Sequence, residues 1–207
     1  MNPPTHNASG SPFSDTRLTE VVEQASKGNR LAFERLIDRF QGDIYRMIYY
    51  RVRARMDAED LTQDVFIRAY RSIFRLREPN RIRSWLFTIA VNRVNDYLRN
   101  KRVRSIFKSS SESADFYAET SQPQEQPEAL EQILKEDFWR QIEHIAKTLS
   151  KMEREVFMLR FLDGLSIYEI AGILKKSEST VKTHLYRALT KFKKEKSLRQ
   201  FLQEDSP

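Results

Sequence analysis

Apolar residues recur every three or four positions along most of the chain, and strict alternation is almost absent, which predicts helices and no sheet. Leu31, Phe33, Leu36, Ile37, Phe40, Ile44, Met47 and Ile48 mark one long amphipathic helix. Ahead of it, Ser14 or Asp15 can cap a helix running to about Ala25, which Gly28 ends. DAEDLTQDVFIRAYRSIF and PNRIRSWLFTIAVNRVNDYLRNKR read as two more helices, with Pro79 at a first-turn position where no backbone donor is missed. In the latter, Ile82, Trp85, Leu86, Ile89, Val94, Tyr97 and Leu98 form the stripe expected to be buried. Four helices can close one core over residues 16–104.

The pattern then stops. Residues 105–127, SIFKSSSESADFYAETSQPQEQP, are rich in Ser, Gln, Glu and Pro without apolar period, which predicts a flexible linker. Residues 1–15 read as a disordered tail. A second unit, 128–207, opens with a helix bearing Leu130, Ile133, Leu134, Phe138, Ile142 and Ile145. Ser150 and Glu153 have capping-box spacing and start a helix expected to run through Leu162, ended by Gly164. Ser166 and Glu169 repeat that spacing, Leu165 with Ile170 can staple the entry, and Ser177 can cap the last helix. Three helices joined by tight turns are what a helix-turn-helix needs. The expected fold is all-α, with two small helical domains joined by a flexible linker.

Charge adds a direction. The chain of 207 residues carries a formal net charge of +7, but in blocks. Nine basic residues against Glu78 and Asp96 fill 75–104, and nine against Glu178 and Glu195 fill 175–199; between them, 105–137 is acidic. Either basic block alone could be a solvated helix face; two on one chain point to a polyanion. With no cysteine and three scattered histidines, neither disulfide, thiolate metal site nor cofactor is expected. The longest apolar run, Trp85 to Val91, is far short of a membrane span, and the N-terminus lacks a signal-peptide pattern, so the expected compartment is the cytoplasm.

In the last helix Val181, Leu185, Ala188, Leu189 and Phe192 face inward, which leaves Ser179, Lys182, Thr183 and Tyr186 on the open face with Arg187 at its flank. Early residues of a recognition helix reach base edges and later cations neutralise phosphates. A plain helical hairpin with a basic outer face is the alternative. The turn before it places Lys175 where many such motifs carry glycine. On the first basic helix, Asn92, Asp96 and Arg99 share an open face with Arg93 alongside, and Asp96 can orient Arg93 or Arg99. Trp85 could stack on an unpaired base or join the core. Asp57, Asp60 and Asp64 line one helical edge beside Gln63; the helix dipole offsets the repulsion at the first two, and a basic protein partner would account for Asp64. No histidine converges there, so catalysis is not expected.

These segments, in this order, resemble the extracytoplasmic-function group of bacterial RNA polymerase sigma factors, in the sigma-70 family, from about Leu18 to Leu198. ASKGNRLAFERLIDRF is similar to the start of the family's region 2, and DAEDLTQDVFIRAYRSI to the part that docks on the polymerase β′ coiled coil. SWLFTIAVNRVNDYLR is similar to the segment that opens and reads the −10 element, and LSKMEREVFMLRFLDGLSIYEIAGILKKSESTVKTHLYRAL to region 4, which reads the −35 element. The resemblance assigns Asp60, Gln63, Asp64 and Phe66 to polymerase, with a place in the core the equal alternative for Phe66, Asn92, Arg93, Asp96 and Arg99 to the −10 element, and Ser179, Lys182, Thr183, Tyr186 and Arg187 to the −35 element. It implies as partners the polymerase core (β′ coiled coil and β flap), promoter DNA and an anti-sigma factor, with no membrane insertion and no catalytic activity. The basic loop RLREPNRIR is longer than the family's short one and leaves promoter preference open. The rival is a stand-alone, LuxR-like helix-turn-helix regulator, since TVKTHL also fits that class. DLTQDVF followed by WLFTIAVNRVNDYLR is the more specific signal.

Overall fold

A computed structural model of the protein describes residues 15–108 and 148–194. The expected tail, most of the expected linker and the helix carrying Leu130 to Ile145 lie outside the described residues. Seven α-helices account for most of the remainder: α1 (Asp15–Ser26), α2 (Arg30–Val52), α3 (Arg55–Ser72), α4 (Ile82–Lys108), α5 (Lys151–Phe157), α6 (Ile167–Leu174) and α7 (Glu178–Lys194). Short 3-10 turns at Ile73–Arg75 and Pro79–Arg81 carry the chain from α3 to α4, with Pro79 in the first-turn position. No strand occurs among the described residues. Helix α4 runs four residues past Arg104, into the segment read as linker.

Local signals set most of the helix starts and stops. Asn29 accepts from Ala32 N to open α2. Ser150 with Glu153 and Ser166 with Glu169 both form complete capping boxes, which satisfy backbone donors in the first turns of α5 and α6. Ser177 Oγ accepts from Thr180 N at 3.2 Å ahead of α7. Gly28 and Gly164 turn the chain at φ 92° and 66°, a region open to glycine without steric penalty. One helix departs from expectation. The segment read as helix through Leu162 is α-helical only to Phe157, and Met158–Leu162 widens into a π-helix. Asp163 N there bonds Met158 O at 3.1 Å, five residues back, and this places Asp163 beneath α2.

The apolar stripes meet in one core. α1 packs on α2, α2 on α3 and α4, and α3 on α4. Phe33, Leu36, Ile44, Met47, Ile48, Val65, Leu86 and Phe87 are buried at its centre. The core does not stop at the unit boundary: α6 packs on α4, so Leu159, Leu165, Ile170 and Ile173 are continuous with it. A small satellite of Leu149, Phe157 and Ala188 fastens α5 to α7, where the Phe157 and Phe192 rings stack 4.3 Å apart. Two units that the sequence presents as separately tethered are therefore in side-by-side contact.

Two stability predictions follow from the second unit. Lys175 caps α6 at φ 52°, ψ 48°, the left-handed region that Cβ disfavours. Lys175→Gly should raise stability by about 1 kcal/mol, read as a higher thermal midpoint. Glu153 is buried and accepts from Lys191 Nζ at 2.6 Å and from Ser150 N at 2.8 Å. The Lys191 hydrogen bond first, then that backbone bond, hold its carboxyl below the ordinary 4.5. A depressed folded pKa stabilises above the unfolded value and is lost as pH falls through the folded one. Lys191→Met should lower the melting temperature at neutral pH, and the deficit should shrink below a pH of about 4.

Candidate nucleic-acid and polymerase interfaces

Helix α7 carries its inward stripe as the spacing requires: Val181 and Ala188 are fully buried, with Leu185 packed at the core edge. Rotation by one face brings Ser179, Lys182, Thr183, Tyr186 and Arg187 to the surface together. Tyr186 is 73% exposed, a large ring in water beside cations. Thr183 Oγ1 donates to Ser179 O at 2.9 Å, and Lys182 Nζ lies 3.7 Å from Glu178, an exposed pair that DNA can displace at little cost. All five residues expected to face DNA share one face.

The first basic face is less uniform. Asn92 and Arg99 are exposed, and Asp96 holds Arg99 at 3.0 Å, as expected of an orienting carboxylate. Arg93 is different. Its side chain is only 23% exposed and its Nε lies 2.5 Å from Asp64 Oδ2, across the α3–α4 contact, with Asp96 at 3.7 Å. Asp64 also accepts from Arg68 Nε at 3.2 Å. Asp64 and Arg93, expected on two different partner surfaces, thus pair with each other across the α3–α4 contact while both stay partly exposed. Trp85 is half-buried against the core and lines a groove of about 420 Å3 with Arg81, Thr88, Tyr168, Lys176 and Glu178.

The acidic edge of α3 also divides. Asp57 accepts from Tyr97 Oη at 2.6 Å, and burial, with that hydrogen bond, pushes the Tyr97 hydroxyl well above its usual pKa. Phe66, expected to contact a partner, is 7% exposed and belongs to the core, because α3 turns it towards α2 and α4 with Val65 and Ala69. Asp60 and Gln63 remain exposed. With them stand Met56, Ile67 and Tyr70, large apolar side chains in water. Positions 56, 60, 63, 67 and 70 alternate four-and-three spacing, the seam one helix offers another. The apolar members were absent from the sequence reading. Their signal was present in a second apolar stripe, offset from the buried one through Ala58, Leu61, Val65 and Ala69.

Among the described residues no helix is long and apolar enough to cross a membrane. Residues 36–120 match the family described as Sigma-70 region 2, and residues 139–192 match Sigma-70, region 4. The ECF RNA polymerase sigma factor BldN of Streptomyces coelicolor is 34% identical over 185 residues, which cover 89% of this chain and 67% of that protein. The ECF RNA polymerase sigma-E factor of Escherichia coli strain K12 is 33% identical over 175 residues, covering 81% of this chain and 88% of that one. In fold the chain is similar to CnrH, solved in complex with the cytosolic domain of CnrY, with a TM-score of 0.62 and 24% identity over 91% of this chain and 99% of that one. A helical unit with a polar α4 face, a helix-turn-helix unit and these matches to both halves lead to one conclusion: the chain belongs to the extracytoplasmic-function sigma factors of the sigma-70 family.

Proposed function

We propose that this sigma factor docks on core RNA polymerase through the exposed seam of α3 and carries promoter specificity on α4 and α7. The single observation behind the docking assignment is that seam: Met56, Asp60, Gln63, Ile67 and Tyr70, exposed together on a helix whose other face is buried, with the Tyr70 ring set edge-on against Phe33 at 5.0 Å. Apolar side chains at seam spacing supply contact area for a partner helix, and Asp60 favours a basic one. Asn92, Asp96 and Arg99 address the −10 element, and Ser179, Lys182, Thr183, Tyr186 and Arg187 the −35 element. Asp64, Arg93 and Phe66 position these faces from within and contact neither partner. Relatives solved with anti-sigma partners make a negative regulator that covers one of these faces the expected complement. Such a protein recruits and positions the polymerase, and the chemistry of RNA synthesis stays with the enzyme.

Asp60→Arg with Ile67→Lys should weaken core polymerase binding at least tenfold in a titration, since like charges facing across a contact cost several kcal/mol. Helix content and melting should barely change. Asp64→Arg should instead lower the melting temperature, because it breaks the tie to Arg93. Undiminished binding of the double variant removes the docking assignment.

On a promoter library bound by holoenzyme, Lys182→Ala and Arg187→Ala should lose about 1–3 kcal/mol of discrimination at particular base pairs. Lys193→Ala should weaken every sequence alike and reduce the salt dependence. Identical behaviour of all three variants contradicts this division of roles.

A further inference from the structure

Charges of alternating sign form a chain of contacts from α3 to the −10 face of α4. Arg68 Nε lies 3.2 Å from Asp64 Oδ1, and Asp64 Oδ2 lies 2.5 Å from Arg93 Nε across the α3–α4 contact. Arg93 Nη1 is 3.7 Å from Asp96 Oδ2, and Asp96 Oδ1 accepts from Arg99 Nη2 at 3.0 Å. The chain is uneven, because 3.7 Å is too long for a hydrogen bond. Arg93 is therefore committed to Asp64, and Asp96 to Arg99.

Asp96 has two claimants. Arg93 and Arg99 stand three residues to either side of it on α4, so both reach it without any backbone movement. They differ in solvation: the Arg93 side chain is 23% exposed and the Arg99 side chain 72%. Arg93 is also the less satisfied of the two. The Asp64 contact lies off its Nε–H direction, and that buried donor has no hydrogen-bond acceptor. A cation with little water around it gains more from a carboxylate than one already hydrated. Without Asp64, Arg93 would take Asp96 through two parallel hydrogen bonds, and Arg99 would be released.

We propose that Asp64 is a specificity-determining residue for the −10 element: it occupies Arg93, which leaves Asp96 to hold Arg99 in its reading orientation. Asp64 acts through other side chains, as a positioning residue, and the proposal rests on the sigma-factor reading above. Held by Asp96, the Arg99 guanidinium presents a fixed fork to a base edge. Released, it is a mobile cation that settles on the nearest phosphate, which adds affinity but reads no sequence. Loss of Asp64 leaves the helices in place. Asp57, about two turns earlier on α3, holds Tyr97 of α4 at 2.6 Å, and Val65, Ala69, Ala90 and Val94 stay in the common core.

The test uses Asp64→Asn, which removes the charge and keeps the shape. On a promoter library, holoenzyme carrying it should lose about tenfold discrimination, the order of one good base contact. The loss should fall at those −10 positions where Arg99→Ala also loses discrimination. The free full chain, titrated on a scrambled single-stranded oligonucleotide, should show a salt slope steeper by about 0.7, equivalent to one added phosphate contact. That steepening should vanish on the Arg99→Ala background. Adding Arg93→Met to Asp64→Asn should restore most of the discrimination, because no second guanidinium then competes for Asp96. Should Asp64→Asn lose helix content, Asp96→Ala serves: it frees Arg99 directly, and an unchanged slope there overturns the proposal as well. An unchanged slope in folded Asp64→Asn, or a double variant worse than the single one, also overturns it. A merely structural Asp64 predicts both, with a lower melting temperature. Wild-type holoenzyme that selects no promoter would instead sink the sigma reading, and the salt slopes would still decide whether Asp64 keeps Arg99 held.

Discussion

Helix α4 is required to be buried on two sides at once, and the rest of the molecule is arranged around that requirement. Ile82, Leu86, Phe87, Ala90, Val91 and Val94 are buried against α2 and α3 or nearby, while Trp85 and Ile89 pack at the core edge towards α6. The exposed part includes the polar strip through Asn92, Asp96 and Arg99 and the helix's end from Arg99 to Arg104. The same helix places Arg83 and Arg81 at its entrance, where they meet the second unit.

Charge in this protein has two roles that composition cannot separate. On α7 Lys182 makes only an exposed pair with Glu178, and a solvated pair contributes little. Arg51 and Arg93 are instead consumed internally, one between units and one between helices. The acidic edge of α3 divides likewise: Asp57 holds a tyrosine, Asp64 holds arginines, and Asp60 is exposed. A basic chain that must fold and also bind a polyanion needs this division, since unpaired buried charge would unfold it.

The sequence by itself determined the elements. Helical period, two capping boxes, the glycines that end α1 and precede α6, and Ser177 ahead of α7 are local signals, acting over three to five residues, and the caps and glycine turns are realised where the spacing places them, while the period after Phe157 gives way to a π-helix. The exposed face of α7 was legible for the same reason: a helix that buries Val181 and Ala188 must expose Lys182 and Tyr186. Tertiary structure alone decided which charges face outward. Asp64 meets Arg93, Arg51 meets Glu155 and Asp163, and Phe66 turns inward, through contacts between helices whose relative rotation no local pattern encodes. It also decided that α6 rests on α4, because two apolar faces separated by a long polar segment carry no mark of mutual contact until both are folded. Period and capping are properties of neighbours along the chain; ion pairing and domain contact depend on distances that only packing sets.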